Sequence, residues 1–199
     1  AYEILRCLVG SEMCIRDRPN YYKDTCVAYN RAYNVISLEE YKAKMLADVP
    51  ETKNLIIWRR LIPEGCFSNA LFICDFNGLL RRYEERCNYC EGLAISKIAL
   101  DSDKEPTVLA VHHSFIYSNK YECYVDCTPG NKYHPNLYLY LLSDELKEDA
   151  LEEYLESLMS EDENGDDVTT PKFIHDDLPL GVDVPKNWLL SNEKHRDKE

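Results

Sequence analysis

The spacing of apolar and polar positions divides the chain into helices followed by strands. Ser37-Leu38-Glu39-Glu40 has the form of a capping box, in which the serine hydroxyl and the glutamate three residues on each satisfy an orphan N–H. It predicts a helix over 37–48 with Leu38, Tyr41, Met45 and Val49 along one side. The Ile-, Leu- and Trp-rich run 54–62 predicts a strand or extended segment ended by Pro63 and Gly65. A second helical pattern starts at Phe67, with Ala70, Leu71 and Cys74, and weakens at Asn77-Gly78. Strand-like runs follow at 88–97, 107–117 and 121–128, and the Leu/Tyr alternation of 136–142 offers a fourth. Ser143 has the chemistry of an N-cap for a helix to about Met159, with Leu146, Ala150, Leu151, Tyr154, Leu155 and Leu158 as its apolar stripe. Residues 160–171 hold almost no apolar side chains and read as a linker. Beyond it, Phe173, Ile174, Trp188, Leu189 and Leu190 are apolar enough to dock. The order predicts an α+β fold with N-terminal helices packed on an antiparallel sheet.

Charge and length sharpen this division. The 199 residues carry 36 acidic and 23 basic side chains, a net charge of −13. Residues 1–18, AYEILRCLVGSEMCIRDR, resemble a translated transposase sequencing adapter, with MCIRDR matching ATG TGT ATA AGA GAC AGN in one frame. Such a segment is set aside before fold reasoning. Its charges cancel, so −13 also describes 19–199, and Cys7 and Cys14 drop out. Residues 19–143 hold 15 acids and 14 bases, whereas 144–199 hold 18 acids and 6 bases. The acidity belongs to the C-terminal third. The expected organisation is a domain over 19–160 and an acidic, partly disordered tail over 161–199. An acidic balance without clustered Lys and Arg argues against nucleic acid as a partner. No apolar run approaches the roughly 20 residues of a membrane span. The seven remaining cysteines form no recognisable secreted framework, which points to a reducing, cytoplasmic setting.

The candidate chemistry centres on Cys66, in Gly65-Cys66-Phe67-Ser68-Asn69-Ala70. At the first turn of a helix, unpaired N–H groups and the dipole stabilise a thiolate and lower the thiol pKa from about 8.5. A thiolate nucleophile is normally served by a histidine that a third polar group orients. His112 and His113 lie in one strand-like run and Asp126 in the next. A two-residue turn at Asn119-Lys120 sets His113 opposite Asp126, and a three-residue loop sets His112 there. A four-thiolate zinc site from Cys87, Cys90, Cys123 and Cys127 is the competing chemistry. It is disfavoured because 123 and 127 lie roughly 13 Å apart along a strand.

The order Gly65-Cys66-x-x-Asn69-Ala70, Tyr89-Cys90-Glu91-Gly92-Leu93-Ala94, His113-Ser114-Phe115 and Val125-Asp126-Cys127-Thr128 resembles an uncharacterised bacterial and phage group. That group has C-x-x-N-A, E-G-x-A, H-A-W and D-P-T motifs and is similar to papain-like and transglutaminase-like cysteine enzymes. The resemblance covers about 55–130, with Ser114-Phe115 in place of Ala-Trp and Cys127 in place of Pro. It implies a papain-like/transglutaminase-like core, with Cys66 as nucleophile, His113 as base and Asp126 as orienter. The implied reaction is acyl transfer on a peptide or amide substrate, with no metal and no organic cofactor. Asn69 and Glu91 are candidate substrate-binding residues, with helix bracing and strand-edge capping as their plainer alternatives. Gly92 fits a close backbone approach. A non-catalytic binding or adaptor protein on the same fold, using the acidic tail, is the second functional expectation.

Overall fold

A computed structural model describes residues 30, 31, 33–63, 65–75, 80, 85–98, 107–130, 138–161 and 167–169. Residues 1–18, the Asn77-Gly78 break and the apolar positions beyond 169 lie outside these. Strand β1 (Val35–Ser37) leads into helix α1 (Leu38–Asp48), a 3₁₀ segment (Pro50–Asn54), the short helix α2 (Ile57–Arg60) and helix α3 (Cys66–Asp75). Strands β2 (Cys87–Ile98), β3 (Thr107–Ser118), β4 (Cys123–Asp126) and β5 (Tyr138–Leu146) follow. Helix α4 (Glu148–Leu158) and the pair β6 (Met159–Glu161) and β7 (Asp167–Thr169) complete the described chain. The five-stranded sheet runs β1-β4-β3-β2-β5. Its pairings are antiparallel except β1 with β4, which is parallel.

Helix α1 starts as its capping box dictates: Glu40 N–H donates to Ser37 Oγ at 3.2 Å, and Ser37 N–H donates to Glu40 Oε2 at 2.9 Å. Its Leu38, Tyr41 and Met45 are buried. Complete burial of such side chains stabilises the fold by about 1.5–3 kcal/mol each. The 54–62 run is not a strand. Ile57–Arg60 forms a single helical turn that buries Ile57, and Trp58 Nε1 donates to Thr52 O at 2.9 Å, tying it to the preceding 3₁₀ segment. Nor is Ser143 an N-cap: β5 continues to Leu146, the helix begins at Glu148, and Ser143 Oγ donates to Asp144 at 2.6 Å. In the stretch that reads as a linker, Met159–Glu161 pairs with Asp167–Thr169.

Alternation gives the sheet two different faces. On one, Cys87, Tyr89, Ile116, Cys123 and Val125 pack with Tyr41 and Met45 of α1 and Ala70, Ile73 and Cys74 of α3. On the other, Cys90, Ala94, Phe115, Tyr117, Tyr124 and Tyr140 form a tyrosine-rich cluster. That second face is concave. In a flat sheet β5 and β4 would stand three spacings apart, about 14 Å. Yet Tyr140 Oη on β5 donates to Asp126 Oδ2 on β4 at 2.5 Å, so the sheet must coil strongly between them. A bulge assists: the β2–β5 register shifts between Glu91 and Gly92, placing Ser143 as the extra residue of β5. Gly92 meets the backbone there. A Cβ on it would lie 1.7 Å from Leu141 O.

Candidate active site

The β3–β4 ladder determines where the three candidate residues can meet. Its register is Ile116↔Val125, Tyr117↔Tyr124 and Ser118↔Cys123, which leaves a four-residue loop, Asn119 to Glu122. Neither shorter turn expected from the sequence is used. The register lies two residues from the two-residue turn, and a shift of two keeps every side chain on its face. His113 therefore shares a face with Asp126, but sits diagonal to it rather than opposite. His112 points to the other face, across from Leu93.

Paired β4 residues reach only Ile116, so the edge of β3 at His113 to Phe115 carries no β4 partner among the described residues. The start of α3 occupies that edge. Asn69 N–H donates to Gly65 O at 2.8 Å as the first helical bond, and Cys66 is the first residue of the helix. The half-buried Cys66 lies beside the His113 side chain and the backbone N–H groups of Ser114 and Phe67, near enough for all three to act on its thiol. A sulfur that meets an in-plane strand N–H and the ring of the preceding residue must stand at the strand's open edge.

His113 Nε2 lies 3.2 Å from Asp126 Oδ2. With Nε2 nearest the carboxylate, Nδ1 is the ring nitrogen left to face the sulfur. Thr128 N–H donates to Asp126 Oδ1 at 2.9 Å, so protein groups hold both carboxylate oxygens. Only 5% of His113 and 1% of Asp126 is exposed, whereas Cys66 is partly accessible. The order of access is what a nucleophile, a shielded base and a buried orienter require.

Electrostatics follow from that geometry. Burial pushes the Cys66 thiol pKa up. The His113 bond and charge, with the N–H groups of Ser114 and Phe67, more than offset this and leave it below its ordinary value. Burial pushes the His113 ring down, but Asp126, and then Cys66, raise it to about 10. The two directions favour a thiolate–imidazolium pair. By contrast, Cys87, Cys90 and Cys127 are buried thiols, and burial raises each of them well above the usual range. Cys90 occupies the face opposite Cys87, Cys123 and Cys127, so the four thiols do not converge on one point. Among the described residues no three His, Cys, Asp or Glu side chains are grouped to hold a metal ion.

Asn69 and Glu91 are both buried, with protein partners for their polar atoms. Asn69 is 2% exposed; its Oδ1 accepts Ile62 N–H at 2.9 Å, and its Nδ2 donates to Ile62 O at 2.8 Å and Cys127 O at 3.1 Å. It ties α3 to the chain just beyond Asp126. Glu91 is 1% exposed and lies on the face opposite His113, where Oε1 accepts Tyr89 Oη at 2.5 Å and Tyr154 Oη at 3.1 Å. Tyr154 also stacks on Tyr89, which docks α4. Tyr140 and the Ser114 N–H belong to the site without a sequence signal, whereas Thr128 carries the last position of the D-P-T-like motif. Only the tyrosines among the leucines of 136–142 hint that polar groups reach inward from that strand.

Among the described residues no helix is long and apolar enough to cross a membrane. Comparison with family models, curated proteins and solved structures returned no match to this chain.

Proposed function

We propose that the protein is a cysteine-dependent acyl-transfer enzyme acting on an amide bond, with hydrolysis the leading reaction and transamidation the second. The observation that carries this reading is the continuous chain of contacts from a partly accessible Cys66 through buried His113 to buried Asp126. The Cys66 thiolate attacks the substrate carbonyl carbon, and the C=O electron pair moves onto oxygen. His113, protonated at Nδ1, donates that proton to the leaving nitrogen as the C–N bond breaks, giving a thioester and a free amine. Neutral His113 then takes a proton from water, whose oxygen attacks the thioester. Collapse of this second adduct releases the acid and restores the thiolate. An incoming amine in place of water gives transamidation. Asp126 keeps the imidazole oriented and supports its positive charge. The Cys66 backbone N–H is a candidate oxyanion donor.

The alternative, a non-catalytic binding protein on the same fold, gives no reason for a lowered cysteine beside a raised histidine. Faster alkylation of Cys66 than of the buried thiols would not separate the readings, because exposure alone predicts it. The separating experiment is acyl trapping. After incubation with a panel of activated acyl amides and acid quench, intact mass and peptide mapping should find an acyl thioester on Cys66 that is absent in His113→Gln. Equal adducts in wild type and His113→Gln, or none across the panel, would refute the enzyme reading.

A further inference from the structure

The Asp126 oxygen that lies in ion-pair range of His113 has a second neighbour. Asp126 Oδ2 lies 3.2 Å from His113 Nε2 and also accepts Tyr140 Oη at 2.5 Å. Tyr140 is fully buried and comes from β5, so its ring must cross β2 to reach β3 and β4. It can cross because the β2 positions on that face are small: Ala94 pairs with Tyr140, and Gly92 lies two residues along. The ring then packs against His113 at 5.7 Å and Phe115 at 5.8 Å. The titratable groups facing the carboxylate are His113 from β3, Tyr140 from β5 and the adjoining Cys127 thiol, with Cys66 of α3 beyond the ring.

Resting on the Cys66–His113–Asp126 reading, we infer that Tyr140 is a positioning residue of the same site. It fixes the Asp126 carboxylate and moderates its pull on the His113 proton by donating to the oxygen that faces the ring. The reason for such a device is chemical. A buried carboxylate given over wholly to one imidazolium holds its proton too tightly, whereas a useful acid–base group exchanges it near the working pH. A second donor on the same oxygen withdraws part of that negative charge. Thr128 N–H on Oδ1 keeps the carboxylate in place when Tyr140 is changed.

The test is the His113 titration midpoint, read by NMR on histidine-labelled protein and assigned with His113→Gln; it requires no substrate. A hydrogen bond to a charged acceptor corresponds to about 1 to 2 pH units at the carboxylate, and the part passed to the ring predicts a rise of about 1 in Tyr140→Phe. Tyr138→Phe, a change to the neighbouring ring of the same cluster, should leave the midpoint where it is. The sign is diagnostic: a purely structural tyrosine would leave the midpoint unchanged or, by loosening the His113–Asp126 contact, lower it. A raised wild-type midpoint with no rise in Tyr140→Phe overturns the role of Tyr140 and leaves the triad standing. An ordinary wild-type midpoint near 6.5 overturns both. If Tyr140→Phe does not fold, the wild-type Tyr140 Cζ resonance must titrate with His113, because both groups meet the same carboxylate oxygen; a resonance indifferent to His113 rejects the inference.

Discussion

Gly92→Ala is the sharpest packing test of the site's scaffold. A Cβ there would stand 1.7 Å from Leu141 O, 2.8 Å from Leu141 C and 3.1 Å from Ser143 N, all backbone atoms of β5. Carbon and oxygen normally approach to about 3.3 Å, so β5 must retreat by about 1.5 Å. Overpacking that side chains can absorb costs about 1–3 kcal/mol. Here the yielding element is a strand, so the hydrogen bonds around Gly92↔Leu142 weaken too, at about 1 kcal/mol each. The expected loss is at least about 3 kcal/mol, or roughly 6–12 °C in Tm for a chain of this size. Urea and thermal unfolding should show it. Gly130→Ala is the control: its φ is +80° with no atom within 4 Å of the added Cβ, so only backbone strain of about 1 kcal/mol applies. A Gly92→Ala protein within about 1 kcal/mol of wild type would refute both the close approach and the bulge that coils the sheet.

Asn69→Ala removes three hydrogen bonds, one of them buried and leaving Cys127 O without that donor; the expected cost by denaturant unfolding is about 1–3 kcal/mol. Because the folded His113 pKa is raised, its stabilisation is fully present below the unfolded value of about 6.5 and is lost as pH rises through about 10. The urea midpoint should therefore fall as pH rises above about 6.5 more steeply in Cys66→Ala, where no opposing thiolate term remains and Asp126 alone holds the ring's pKa up, than in Cys66→Ala/His113→Gln. Cys87, Cys90, Cys123 and Cys127 are buried and their pKa values raised by burial, so a thiol reagent at neutral pH should label Cys66 in the native state and these four only on unfolding. Native labelling of any of the four at the Cys66 rate would contradict the packing.

Local chemistry was legible in the sequence wherever it decides structure by itself. The Ser37/Glu40 box starts α1, and the apolar runs at 88–97 and 107–117 fall within β2 and β3, whereas turn geometry left His112 and His113 open and only the motif resemblance chose His113. What failed depends on partners distant in sequence. Residues 54–62 have the composition of a strand, but Trp58 and Thr52 close a helical turn that no propensity announces. Ser143 has the chemistry of a cap, yet β2 recruits it into a bulge. The hairpin register came from a loop that Glu122 closes with φ 48°, an uncommon conformation for a glutamate. Asn69 and Glu91 were marked by their motifs, but their bonds point inward, to backbone and tyrosine. Tyr140 was invisible for a plain reason: its role requires knowing that the sheet coils until β5 reaches β4.

The central claim, that His113 holds Cys66 as a thiolate, is tested most directly by thiolate absorbance near 240 nm against pH, taken as wild type minus Cys66→Ser and repeated in His113→Gln. The wild-type difference should show thiolate well below the ordinary thiol midpoint of about 8.5. In His113→Gln the midpoint should return to about 8.5 or higher, because burial then acts with fewer opponents. Coincident titrations in the two proteins would contradict the account.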